Sequence, residues 1–504
     1  MLLIDRLKAA RRVSAPLVAI ETADPAATID VVVKGLNGDT SAVVWDLANG
    51  MLALNDIGQD AMARVLADET VMSEFGAVRQ AESLNGGTVL FFHFDSKFWE
   101  SPAFVQQVWN LRDKFKSDQR TLILMARGFS GIPEKLTGEI IVLEDPLPDA
   151  ARIGEILDRV IETHNSNAAD ARASSRKKVP DADVDEPTRQ KCIGMARGMH
   201  DGQAELLLQM CLGRDGKMDV ASLAERQRKI IEQTDGVTVF RNACTFADVG
   251  GLDTLKEYIR LVMNGRSAPK LIVWLDEIGT TGLGSRQDLS GVNQSTEGHL
   301  LQFMQDNRVY GVMLAGIQGA GKTEFCKAVG GEFDKLVIRL DLDACKGSLV
   351  GQSEAQLRAA TRIIQACAEG EGSMLWIATA NSIDSLSGPM KNRFVDTFMV
   401  DLPGRGERQQ IWDVWMNKLG LTDDAPFPDD DGWNGRNIWQ CCDKAWRTGL
   451  PIAQVAKWIT PVGITDAEGI DRLRSQADGR YLSATQTGVY RKPRQQVGGR
   501  RVEV

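Results

Sequence analysis

Eight residues past the middle of the chain limit its fold more than any bulk property does. Gly316-Ile-Gln-Gly-Ala-Gly-Lys322-Thr323 fits the spacing GxxxxGK[ST]. Such a run occurs by chance as a glycine turn, and its context decides the matter. Here an apolar run at 309–315 precedes it and a helical pattern at 324–329 follows. Strand, glycine loop and helix in that order form a phosphate-binding loop. The glycines let the backbone curl until its N–H groups face an anion, and the helix N-terminus adds a favourable dipole. The expected phosphate contacts run through Gly316, Gln318, Gly319, Ala320, Gly321, Lys322, Thr323 and Glu324. Lys322 would reach the β- and γ-phosphates, and the Thr323 hydroxyl would ligate Mg2+.

Two further strands end in groups that suit this chemistry. Lys270-Leu-Ile-Val-Trp-Leu-Asp276-Glu277 is an apolar strand closed by a carboxylate pair. Solvated acids after a strand are common, but beside a phosphate loop they read as Walker B. Asp276 would then hold the metal and Glu277 would polarise the attacking water. Met374-Leu-Trp-Ile-Ala-Thr-Ala-Asn381 ends in an amide that could orient that water or the γ-phosphate. Arg393 precedes the run at 397–402 and could act on a neighbouring subunit's phosphate as a finger, against the alternative of an ordinary surface arginine. The order is unusual: the acidic strand comes before the phosphate loop. No strand or acidic pair fits between the helical pattern at 354–368 and the strand at 374. The two strands are therefore expected in one sheet, because pairing and burial, not chain order, set strand position.

The remainder of the chain frames this core. Residues 1–165 alternate short β-rich runs (16–20, 42–46, 88–94, 121–126, 139–143) with helical patterns, which predicts a mainly parallel sheet. No phosphate loop occurs there. The spacing of 121–126 to 141–148 echoes that of 374–379 to 399–403, a weak repeat that suggests one fold used twice. A polar, charged stretch at 165–187 reads as a linker within a linker and helical region, 166–240. The nucleotide-binding core is expected at 241–405, a helical lid at 406–478, and a basic mobile tail at 479–504 carrying Arg480, Arg491, Lys492, Arg494, Arg500 and Arg501.

Composition removes several classes of function. The net charge of -9 argues against a nucleic-acid coat over the whole surface. No apolar run approaches the ~20 residues of a membrane helix, and the first residues turn charged at once, so a cytoplasmic protein is expected. The eight cysteines include no CxxC pair and read as reduced core thiols. The four histidines have no metal-ligand spacing.

Taken together, these motifs resemble an AAA+ ATPase. The implied fold class is α/β: a P-loop AAA+ three-layer parallel sheet with a C-terminal helical lid, preceded by a degenerate AAA-like α/β domain. Phe246-Ala-Asp-Val-Gly-Gly-Leu-Asp-Thr-Leu-Lys is similar to the segment that packs by the adenine in this family, which implies contacts from Val249 and Gly250. Residues 341–354 resemble the strand and first pore loop, and Gly435-Arg436-Asn-Ile resembles the helix whose arginine, here Arg436, meets nucleotide. More narrowly, the chain is similar to the chloroplast and cyanobacterial AAA family that pairs a degenerate N-terminal domain with an active C-terminal one. Versions with the shuffled order resemble proteins of tailed bacteriophages. The resemblance implies ATP and Mg2+ as cofactors, a homo-oligomeric ring (a hexamer) and a protein partner to be remodelled, with no membrane. The alternative is a nucleic-acid motor or loader, for which the basic tail speaks and the acidic balance and missing motif do not. Two departures from the family stand out. Leu349 takes the place of the pore-loop aromatic, and Asp396 stands where a second finger arginine would be.

Overall fold

The computed structural model describes residues 3–36, 38–63, 65, 72–129, 131–173, 179–240, 244–278, 291–342, 344, 352–368, 372–382, 386–422 and 427–493. The chain divides into two compact units, Met1–Gln227 and Arg228–Val504.

In the first unit the apolar runs become strands β1 (Leu17–Glu21), β2 (Ala42–Asp46), β3 (Gly50–Ala53), β4 (Val89–His93), β5 (Thr121–Ala126) and β6 (Ile141–Glu144). The sheet order is β3-β2-β4-β5-β1-β6. Only β3 is antiparallel to its neighbour. It was not legible as a strand, because its four residues carry no alternation. Near-continuous apolar strands suit a sheet covered on both faces. One face packs Trp45, Phe92 and Phe104, with Trp45 stacked on Phe92 at 4.1 Å. The other packs Leu7, Val18, Ile20 and Ile123. The turn after β1 holds no glycine. Asp24 caps the helix Pro25–Gly35 by accepting from the Ala27 N–H at 3.1 Å. The Thr28 hydroxyl bonds to Asp145 at 2.5 Å. Carboxylates stand at this helix start, where a phosphate would meet them as like charges.

The second unit contains β7 (Val237–Phe240), β8 (Leu271–Leu275), β9 (Tyr310–Gly316), β10 (Leu336–Leu340), β11 (Met374–Ala380), β12 (Asp396–Val400) and β13 (Leu482–Ser483). Its order is β13-β12-β9-β11-β8-β10-β7. Here only β7 is antiparallel to its neighbour. The acidic strand β8 thus lies in the same sheet as the phosphate-loop strand β9, with β11 between them. The helices Asp253–Met263 and Lys322–Phe333 pack one face through Leu255, Ile259, Phe325 and Val329. The helices Gly291–Asp306 and Gln352–Cys367 pack the other through Leu300, Met304, Leu357 and Ile364.

The two sheets follow one spatial series. Read from one edge, β6-β1-β5-β4-β2-β3 corresponds to β12-β9-β11-β8-β10-β7, with the antiparallel strand last in both. The repeat noted above pairs β5 with β11 and β6 with β12, in line with this series. The chain order differs at two strands: β3 and β4 follow β1 and β2, whereas their counterparts β7 and β8 precede β9 and β10.

Four sequence expectations change. The helix Ala150–Ala173 runs well into the stretch read as a linker. The strand β7 falls inside the region 166–240, read as linker and helices. The helix Arg405–Leu419 begins one residue before the expected lid. The described tail, read as mobile, is anchored at single points: β13 pairs with β12, and Tyr490 is buried with its hydroxyl on Asp401 at 2.6 Å. Arg494, Arg500, Arg501 and Leu349 lie outside the described residues. The cysteines that are described are free thiols. Of these, Cys441 and Cys442 fill the core of the helical lid with Trp412 and Trp433.

Candidate functional site

The turn after β9 is built on glycines that no other residue could replace without strain. Gly319 and Gly321 have φ of 79° and 92°, in the left-handed region. Gly316 packs on β12, where a Cβ would sit 2.4 Å from the Val400 carbonyl oxygen. The helix Lys322–Phe333 then starts directly from Gly321. The Lys322 side chain is buried. Its ammonium donates to the carbonyls of Gly316 at 2.6 Å and Ile317 at 2.9 Å, and to Asn381 Oδ1 at 3.0 Å. Asn381 Nδ2 reaches Glu277 Oε1 at 3.5 Å. Residues from the ends of β9, β11 and β8 therefore form one connected set.

A residue that sequence reasoning missed organises the acidic pair. The Thr379 hydroxyl, on β11, donates to Asp276 Oδ1 at 2.9 Å and accepts from the Glu277 N–H at 2.9 Å. Glu277 itself has φ of 48°, an uncommon conformation for this residue type. Thr379 holds that bend in place. The only signal in the sequence was a hydroxyl two positions before Asn381 in an otherwise apolar strand. Thr379→Val would remove both hydrogen bonds, from the hydroxyl to the part-buried Asp276 carboxylate and from the Glu277 N–H to the hydroxyl. It is expected to lower stability by about 1–3 kcal/mol, read from denaturant unfolding.

The charges are set by burial. Desolvation lowers the Lys322 ammonium to about 8, opposed by attraction to Glu277 and Asp276. Desolvation also raises the Asp276 carboxyl, opposed by the Thr379 hydroxyl and by Arg339. Arg339, also missed, stands 3.2 Å from Asp276.

These groups open on a cavity of about 500 Å3. Every residue expected at the phosphates lines it except Gly316, whose part is the close packing on Val400. Asp276, Glu277, Asn381, Val249, Gly250 and Arg436 line it too. The lid supplies a wall that the sequence did not disclose: Ile411, Val414, Trp415 and Trp439. The lid is tied to the loop by Asn434, whose amide donates to the Gln318 carbonyl at 2.8 Å. It is tied to the 246–256 segment by the Gln410 side chain, which accepts from the Gly251 N–H at 2.8 Å. Phe246 anchors that segment by stacking on Phe325 at 5.4 Å.

Arg393 does not line this cavity; its guanidinium donates to Gln305 at 2.7 Å. Asp396, in the place of a second arginine, accepts from the Tyr258 and Tyr310 hydroxyls and so fixes the backbone beside Arg393.

The donor set suits a hard cation. Asp276 and Thr323 offer oxygen only, as Mg2+ requires. No cluster of three His, Cys, Asp or Glu side chains able to hold a metal occurs among the described residues. Among the described residues no helix is long and apolar enough to cross a membrane.

Comparison with known proteins bears on both units. Residues 3–144 match the family model of the SpoVK-like AAA ATPase N-terminal domain. An uncharacterized AAA domain-containing protein, ycf46, of Pyropia yezoensis is 23% identical over 94% of this chain and 97% of its own. The protein of the same name from Gracilaria tenuistipitata var. liui is 22% identical over 70% of this chain and 71% of its own. The solved FIGL-1 AAA domain is 16% identical with a TM-score of 0.32, covering 49% of this chain and 93% of that one.

Proposed function

We propose that this chain is an ATPase of the AAA kind, a reading that the match at residues 3–144 and the relatives 23% and 22% identical to it support, and that it hydrolyses ATP in the cavity beside β9. In this reading it works in a homo-oligomeric ring and remodels a macromolecular partner. The observation that carries it is the connected set Lys322, Asn381 and Glu277, brought from three strand ends to one cavity. The phosphates lie along the 316–324 loop, with Lys322 as their counter-ion. The base sits between Val249–Gly250 and the lid wall of Trp415 and Trp439, where aromatic faces reward stacking. Thr323 and Asp276 hold Mg2+, which supplies charge neutralisation on the phosphate oxygens. Glu277 accepts the proton of the attacking water. Asn381 holds that water or the phosphate in line. Arg436 brings the lid's charge to the nucleotide.

The strand that carries Asp276 and Glu277 is read as a permuted Walker B. The support is internal: the first unit carries β3 and β4 after β1 and β2, whereas the second carries their counterparts β7 and β8 ahead of β9 and β10. Arg393 serves a neighbour's site in this reading, since it is absent from the lining of its own cavity. The first unit has no phosphate loop of its own and serves to recruit the partner. Steady-state phosphate release by the whole chain, compared with Lys322→Ala, tests the reading. Turnover equal in the two proteins would refute it.

Lys322 makes the binding pH-dependent in a defined direction. Its ammonium titrates near 8 in the ligand-free fold, below the ordinary 10.5. Between these values the unfolded chain binds more protons than the folded one, so this group makes the fold more stable as pH rises. Nucleotide needs the charged form, so affinity moves the other way. ATP binding, followed by tryptophan fluorescence, is expected to weaken about tenfold or more from pH 7.5 to 9.5. An affinity that is flat over that range would contradict this role for Lys322.

A further inference from the structure

Arg339 lies on β10, which pairs with β8 so that Arg339 faces Trp274 in register. Its guanidinium lies over the Trp274 ring at 5.4 Å. That stack aims the charge at the end of β8, where it pairs with Asp276 Oδ2 at 3.2 Å and with Asp341 at 3.5 Å. Its Nε–H is buried with no hydrogen-bond partner, so the placement is held against a cost. The site gathers three carboxylates, Asp276, Glu277 and Asp341, whose mutual repulsion acts on Asp276. Lys322 offsets part of it from the phosphate side. Arg339 offsets it from the opposite side, on the oxygen that Thr379 does not use.

We propose that Arg339 is a positioning residue that acts as resident counter-ion of the metal-binding carboxylate, so that a divalent cation gains the site only together with nucleotide. The proposal rests on the reading of Asp276 as the metal carboxylate. Without Arg339 the Asp276 carboxylate would keep the repulsion of Glu277 and Asp341 with no cation on its Oδ2 side, and a bare divalent ion at Asp276 would supply the missing charge. With Arg339 in place, a metal ion must displace or share Asp276 with a fixed guanidinium, and only the added negative charge of the phosphates tips that exchange. A lysine supplies the charge but not the planar group that lies over Trp274.

The test is binding of Mn2+ alone to the whole chain, followed by electron paramagnetic resonance, with no nucleotide present. Arg339→Gln is expected to bind bare Mn2+ about tenfold or more tightly than the unsubstituted chain. Arg339→Lys is expected to stay close to the unsubstituted chain, because the charge remains. Adding Asp276→Asn to Arg339→Gln should remove the gain. Unchanged Mn2+ affinity in Arg339→Gln, with its thermal unfolding intact, overturns the proposal. Should Arg339→Gln fail to fold, Arg339→Met, which keeps the apolar stem over Trp274, carries the same expectation and the same refutation. A separate arm isolates the underlying reading: Asp276→Asn that binds Mn2+ with ATP as well as the unsubstituted chain overturns Asp276 as the metal carboxylate, whatever Arg339 does.

Discussion

Glu277→Gln protein binds ATP with near-normal affinity and releases phosphate roughly 10²- to 10⁴-fold more slowly, the span that a positioned general base contributes. The separation of the two effects follows from the site. In the proposed reading the phosphates rest on the loop and on Lys322, which the substitution leaves alone. Glutamine keeps the size of the side chain and an oxygen that Asn381 can still meet, now 3.5 Å from Glu277 Oε1. The backbone bend at Glu277 is held through its N–H by Thr379, which does not depend on the side chain. What is lost is an acceptor for the water's proton. Lys322→Ala differs in kind: it removes a buried ammonium that meets two loop carbonyls and Asn381, and binding itself is lost. Equilibrium binding and single-turnover phosphate release separate the two variants. Near-normal turnover by Glu277→Gln would show that another group is the base.

Arg393→Ala is expected to slow hydrolysis about 10³-fold with little change in ATP binding, by comparison with other arginine fingers in phosphoryl transfer. The local structure favours a role outside its own subunit. The segment before β12 is clamped by the Val395 N–H on the Gly311 carbonyl at 2.8 Å and by Asp396 on Tyr258 and Tyr310. Gly311 is required there, since a Cβ would come within 2.6 Å of the Arg393 carbonyl oxygen. Arg393 is thus carried on rigid backbone, away from the cavity of its own chain. Mixing inactive Arg393→Ala with inactive Lys322→Ala chains should restore part of the activity, because some interfaces then pair an intact phosphate loop with an intact arginine. If mixed assemblies form and no activity above the sum of the two returns, Arg393 has no role in trans.

The phosphate loop and its strand and helix were legible because every part of that signal is local. Glycines, lysine and threonine sit within eight residues, and periodicity on either side gives the context. The acidic strand was legible for the same reason, although its partner strands were not. Its seat beside β10 and β11 is a matter of pairing, which the order of the chain conceals. Thr379 and Arg339 escaped notice because their meaning lies across strands: each is an unremarked residue until β8 is laid beside β11 and β10. Trp415 and Trp439 look like ordinary helix residues, and only the approach of the lid to the loop turns them toward the cavity. The segment after Gly479 carries no periodicity, so the sequence suggested mobility. It is held by Tyr490 on Asp401, by β13 on β12, and by Thr485 on Glu407 at 3.1 Å. Those are contacts of single residues with distant partners, and no repeat pattern announces them.

A crystal structure of the Glu277→Gln chain with ATP and Mg2+ decides whether an acidic strand that comes early in the chain serves the phosphate loop. The expected result places one Mg2+ between Thr323 and Asp276, with the carboxylate within roughly 5 Å of the threonine hydroxyl, a span that one cation and its waters bridge. A separation well beyond ~10 Å, or a Mg2+ whose carboxylate comes from some other strand, would contradict it.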